Sequence, residues 1–141
     1  MTPEELFAEH KARLEAGQPA PLKLALLEPG FFRYETRIEE YHTDKGKVTG
    51  PREYRIPVAT LAEAQCIFFL CPICVHKQGH QVEVTFAGRG VLDHQGNHNK
   101  AGNPTRWNVS GNDFSDLTTT PSILLEGGCA WHGFITNGEI R

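Results

Sequence analysis

Two short clusters hold most of the residue types in this chain that could do chemistry. Cys71-Pro72-Ile73-Cys74 and Cys129-Ala130-Trp131-His132 each place two metal-binding side chains two residues apart, with 54 residues between the clusters. Zinc takes thiolate and imidazole in tetrahedral geometry, and this spacing lets one tight turn aim both ligands at one ion. Glycines at 127, 128 and 133 permit such a turn around the second cluster. The spacing therefore predicts a Zn2+ site with Cys71, Cys74, Cys129 and His132 as ligands. Four protein ligands leave no position for water, so the ion would be structural, and clamping segments so far apart would make metal binding part of the folding free energy. His76 and His80 are rivals to His132 for the fourth position.

Other chemistry competes for the same residues. A Cys-x-x-Cys redox pair needs a helix N-terminus to lower its thiol pKa, and "VHKQGHQVEV" after Cys74 is not a helical sequence. Cys66, in "QCIFFL", reads as a small buried residue. Ser122 lies in "TTTPSILL", with Asp113, Asp116 and several histidines elsewhere, so Ser122 and Asp116 are weak catalytic candidates. Triads are recognised by geometry, and a residue list leaves Ser122 and Thr118–Thr120 as strand and turn residues bonding the backbone. If His132 is a base and not a ligand, zinc needs another donor. Asp93, His94 and His98 sit among glycines and asparagines, which predicts a mobile, solvated loop over 93–104. A zinc deaminase is a weaker reading still, because its signature needs a His-x-Glu segment and none precedes Cys71. Trp107 and Trp131 read as core or site-covering residues.

Composition narrows the setting. A chain of 141 residues is the size of one domain, and 14 Gly with 9 Pro predicts many turns and few long helices. A formal net charge of −3 argues against a broad grip on nucleic acid. No apolar run approaches the ~18 residues of a membrane span, and the charged start "MTPEELFAEHKARL" does not read as a secretory signal. The expected compartment is the cytoplasm, where thiols stay reduced.

The elements that would position these residues follow from pattern. Thr2, Pro3 and Glu5 give helix-start chemistry, and Gly17 a stop, for a helix over 2–16. "FFRYETRIEEYH" and "REYRIPV" flank the turn-forming "TDKGK" and predict a hairpin. "LAEAQ" predicts a helical turn, "CIFFL" a buried strand, and alternating Val82, Val84 and Phe86 a strand with one buried face. Further strands are expected at "RWNVSG" and around Ile123–Leu125, and Asn137-Gly138 predicts a tight hairpin. The expected class is α+β, mainly antiparallel β: an N-terminal helix and hairpin region (1–59), then a small zinc-ribbon-like β domain (60–141), packed as one unit.

"FLCPIC", "RWNVSG", "DLTTTPSI" and "CAWHGFITNGEI" together resemble a family of small phage and bacterial proteins classed as a domain of unknown function (DUF family 6527), over residues 60–141. Phage members are often labelled "ammonia monooxygenase". That label implies a membrane-embedded copper enzyme, and neither spans nor a His-rich copper constellation is present. The resemblance implies a phage-type origin, with a host or phage protein as partner and the host cytoplasm as compartment. More distant bacterial relatives accompany ubiquitin-like conjugation enzymes, which implies a peptidase role. Two functions are therefore expected. The first is a zinc-binding accessory or host-interaction protein, anti-defence included, without nucleic-acid or membrane partners. The second is a peptidase-like hydrolase acting on protein or ubiquitin-like tails.

Overall fold

A computed structural model describes residues 22–72, 80–124 and 131–141. Its strands are β1 (Leu22–Lys23), β2 (Gly30–Thr43), β3 (Gly46–Val58), β4 (Cys66–Leu70), β5 (Gln81–Thr85) and β6 (Asn108–Ser110). The C-terminal part adds β7 (Thr118–Thr120), β8 (Ile123–Leu124), β9 (His132–Gly133), β10 (Ile135–Thr136) and β11 (Glu139–Ile140). Among the described residues the helices are two 3-10 turns, Leu24–Leu27 and Leu61–Glu63. The α+β, zinc-ribbon-like expectation is thus corrected to antiparallel β. The helix expected over 2–16 lies outside the described residues.

The main sheet has the order β3-β2-β4-β5 and spans residue 59, since Gly30–Phe32 of β2 pair with Phe68–Cys66 of β4. The expected hairpin forms, in unbroken register from Phe31↔Val58 to Thr43↔Gly46 around a turn at Asp44-Lys45. Only the first residues of β2 meet β4, so residues 33–43 and their partners continue as an arm of roughly 35 Å. Three contacts brace its base. Arg55 reaches Glu83 through Nε (2.9 Å) and an NH2 nitrogen (3.1 Å), the Tyr34 hydroxyl donates to Glu83 (2.6 Å), and His94 meets Glu53 (2.6 Å).

Strand periodicity decides which side chains enter the core. Val82 and Val84 on β5, and Phe86 just beyond it, are buried as their alternation predicts. They join Leu24, Leu27, Ile67 and Phe69 from the first half. Trp107, Leu117, Ile123, Trp131, Ile135 and Ile140 enter the same cluster from the second half. Each such side chain contributes about 1.5–3 kcal/mol by leaving water. Phe69 meets Trp131 edge-on at 6.1 Å, and Phe31 stacks on Phe114 at 4.2 Å. Asn137-Gly138, both at positive φ, turns β10 into β11, and β11 is covered on its other side by β1.

The segment 93–104 departs from the mobile loop its composition suggests. Three of its polar side chains, His94, Gln95 and Asn97, bond the main sheet. The Asn97 carboxamide oxygen accepts from the Thr85 N–H (2.9 Å) and hydroxyl (2.8 Å), and its NH2 donates to the Glu83 carbonyl (3.0 Å). Gln95 is buried and donates to Thr36 and Glu53. Loops with few bonds are the ones that open easily, and bonds from His94, Gln95 and Asn97 tie the first part of this segment to the main sheet.

Candidate active site

The site grows from one small antiparallel pair. β8 and β9 are in register Ile123↔Gly133 and Leu124↔His132. Side chains alternate across a strand, so one face takes Ile123 and Gly133 and the other takes Leu124 and His132. The inner face is buried, with Ile123 at 0% exposure beside Trp131 and Ile135. Gly133 is required there, because a Cβ would run into the Arg141 carbonyl oxygen and the Trp131 ring. The outer face carries Ser122, Leu124, His132 and Phe134; Leu124 and Phe134 stay exposed at 54% and 50%.

On that face the Ser122 hydroxyl and the His132 Nε2 lie 3.0 Å apart. This is the separation at which an imidazole can take a hydroxyl proton as a nucleophile forms. Phe134 flanks the imidazole, ring centres 6.4 Å apart. Behind the hydroxyl, the Trp107 indole N–H donates to the Ser122 carbonyl at 3.2 Å. Trp107 is in turn bonded through its backbone N–H to Thr85 O (2.9 Å), at the end of the main sheet. The serine thus sits on a short connection between β7 and β8 that the core holds from one side. The Thr120–Pro121 peptide bond immediately before it is cis.

Beside Ser122 opens a groove of about 1050 Å³. Among the described residues, Trp107, Pro121, Ser122 and Leu124 form one part of its lining, and residues 97–101 with Thr105 and Arg106 another. Arg106 ties this wall together. One of its terminal nitrogens donates to Asn97 O (2.8 Å) and Thr105 O (3.0 Å), the other to Gln95 O (2.6 Å) and Leu92 O (3.1 Å).

The acidic candidates are employed elsewhere. Asp116 accepts from the backbone N–H of Asp113 (3.0 Å) and of Asn112 (2.9 Å), bonds that hold its carboxyl below the usual carboxylate range. Asp113 accepts from the Ser115 N–H at 2.8 Å. Among the described residues no carboxylate bonds His132, whose recorded hydrogen bond is to Ser122. His98 is bonded to Asp93 O (2.6 Å), and His94 to Glu53.

Of the expected zinc ligands, Cys74 and Cys129 lie outside the described residues, as does the rival His76. Cys71 is buried at the end of β4, its N–H bonded to His80 O (2.8 Å), and its side chain belongs to the apolar core. Cys66 is fully buried, and that burial pushes its thiol up to about 12. The pairing of Ser122 with His132 and the Trp107 anchor were not legible as a site in the sequence. The alternation Trp131, His132, Gly133, Phe134, Ile135 was the available signal, since it turns His132 and Phe134 outward together.

Residues 45–141 match the family described as BubE, bacterial ubiquitination-like system serine protease. No curated protein and no solved structure matches the chain significantly. The match corrects the picture of a phage zinc-ribbon protein, and it gives a bacterial protease family over the residues where a small domain of unknown function was expected. Among the described residues no group of three or more His, Cys, Asp and Glu side chains is placed to hold a metal ion. No helix of the described residues is long and apolar enough to cross a membrane. A serine and a histidine in hydrogen-bond contact beside an open groove, within a matched segment covering most of the sequence, lead to one conclusion: the chain belongs to the BubE family of bacterial ubiquitination-like system serine proteases.

Proposed function

We propose that this protein is a serine peptidase of a bacterial ubiquitination-like system, acting on protein or ubiquitin-like tails, with Ser122 as nucleophile and His132 as general base. The observation that carries this reading is the 3.0 Å contact between the Ser122 hydroxyl and His132 Nε2. The family description supports the reaction class and implies protein partners in a pathway.

The chemistry follows from the contact. His132 Nε2 takes the hydroxyl proton as the Ser122 oxygen attacks the substrate carbonyl carbon. The C–N bond then breaks, and the imidazolium returns that proton to the leaving amine. An ester on Ser122 remains. Water attacks it, His132 takes the water proton, and the acyl group leaves as a carboxylic acid while the proton goes back to the serine oxygen. The outward Leu124 and Phe134 offer apolar contact to the residues beside the scissile bond. In this reading Asp116 is a turn-forming residue and not a catalytic acid, because its oxygens are already bonded within 112–116.

The test is cleavage of a ubiquitin-like protein bearing a C-terminal peptide extension, followed by mass spectrometry. The protein should release the extension, and Ser122→Ala or His132→Ala should slow release at least about a thousandfold. Release at the parental rate by both variants would overturn the assignment.

A further inference from the structure

We propose that the site reads its substrate in one direction: the acyl side of the scissile bond lies in the groove beside β8, and the first residue of the leaving side is an apolar one whose side chain rests on Phe134. This deepens the peptidase reading by naming a substrate class, and it rests on that reading for the cleavage itself.

The two strands set the corners of the site. Leu124 stands opposite His132, and the same antiparallel register carried one residue further sets Ser122 opposite Phe134. Ser122 and His132 therefore meet across a diagonal, at 3.0 Å, and two exposed apolar residues hold the other corners. Phe134 sits on a fixed backbone. Its N–H donates to Arg141 O (2.9 Å), and its carbonyl accepts from the Arg141 N–H (3.0 Å). Its ring lies 6.4 Å from the imidazole, tilted by 31°, and stays 50% exposed, so it keeps apolar surface that a ligand can cover.

Direction follows from the proton. The imidazole that removes the serine proton hands it to the leaving amine, so that amine must lie beside Nε2. The imidazole reaches the Ser122 oxygen from β9, which puts the leaving side over His132 and Phe134. The acyl side then runs off the other flank of the serine. That flank is where the groove opens: Pro121, Ser122 and Leu124 line it, and among the described residues neither His132 nor Phe134 does. At about 1050 Å³ the groove exceeds the roughly 300–1,000 Å³ of small-molecule pockets, so it has room for several acyl-side residues. On the leaving side, the apolar surface next to the proton carrier is the Phe134 ring, and it can select the one residue that follows the scissile bond.

The test uses the full-length protein and a ubiquitin-like protein whose C-terminal extension begins with Leu, Phe, Ser or Asn. The kcat/KM for Leu and Phe should exceed that for Ser and Asn by about fivefold, the scale of covering part of one ring. Phe134→Ala, its fold checked by its melting curve, should bring the four rates together, and Phe134→Leu should keep most of the preference. A merely structural defect would lower all four rates alike and leave their ratio unchanged. In Leu124→Ala the ratio should persist, because Leu124 lies on the acyl side. Equal rates in the parent, a ratio that survives Phe134→Ala, or a ratio lost in Leu124→Ala overturns the proposal while cleavage itself stands. Absence of cleavage with every extension removes the peptidase reading as well, so the two failures are distinguishable.

Discussion

The indole N–H of Trp107 ends 3.2 Å from the carbonyl oxygen of Ser122, so the residue bearing the hydroxyl is held by a ring buried in the core. That bond ties the site to the main sheet through Thr85. Trp107→Phe keeps most of the ring and removes the donor. Its kcat should fall about five- to tenfold, with KM nearly unchanged, consistent with about 1 kcal/mol for such a bond. Steady-state kinetics of the variant checks this. A change confined to KM would place Trp107 in substrate binding instead.

Asp116 gives a pH prediction of definite sign. Its carboxyl is held low by N–H donors from Asp113 and Asn112. A depressed folded-state pKa contributes stability that is present above the unfolded value and is lost as pH falls through the folded one. Asp116→Asn should therefore melt below the parent near neutral pH, and the two curves should converge under acid conditions. Cleavage activity at neutral pH should stay within about twofold of the parent, since among the described residues Asp116 bonds only Asn112 and Asp113. Thermal melts across pH, paired with activity, decide the point.

Cys66 should be inert in the folded protein. Burial pushes its thiol up to about 12, so near pH 8 the thiolate fraction is about one in ten thousand. Iodoacetamide followed by peptide mapping should leave Cys66 unmodified in native protein and modify it after denaturation. Fast native modification would mean that β4 opens readily.

His132 cannot both accept the serine proton and close a tetrahedral zinc site through the same nitrogen. His132→Ala should abolish cleavage while leaving the metal content of the purified protein at the parental level. Elemental analysis showing bound zinc in the parent and its loss in this variant would restore the ligand role.

Much of the β architecture was legible in the chain, and the reasons are local. Val82, Val84 and Phe86 declare their buried face by period, "TDKGK" supplies the turn of the long hairpin, and Asn137-Gly138 fixes the last one. The loop over 93–104 misled because Asn, Gln and His look solvated in sequence. Here they bond Thr85, Glu83 and Glu53, residues remote in the chain. The site was hidden for the same reason. Ser122 and His132 meet only because β8 and β9 pair in one register, and the Trp107 contact needs the whole core in place. The regular spacing of the cysteines, by contrast, is visible without any fold and groups His132 with them, whereas its contact with Ser122 needs the β8–β9 register.

The central claim is that Ser122 is a nucleophile activated by His132, and covalent labelling tests it most directly. The native protein treated with a fluorophosphonate probe should carry one adduct, which peptide mapping places on Ser122. His132→Ala should lower the labelling rate at least about a hundredfold while keeping the parental fold by circular dichroism. Absence of an adduct on Ser122, or equal labelling of Ser122 with His132 removed, would contradict the account.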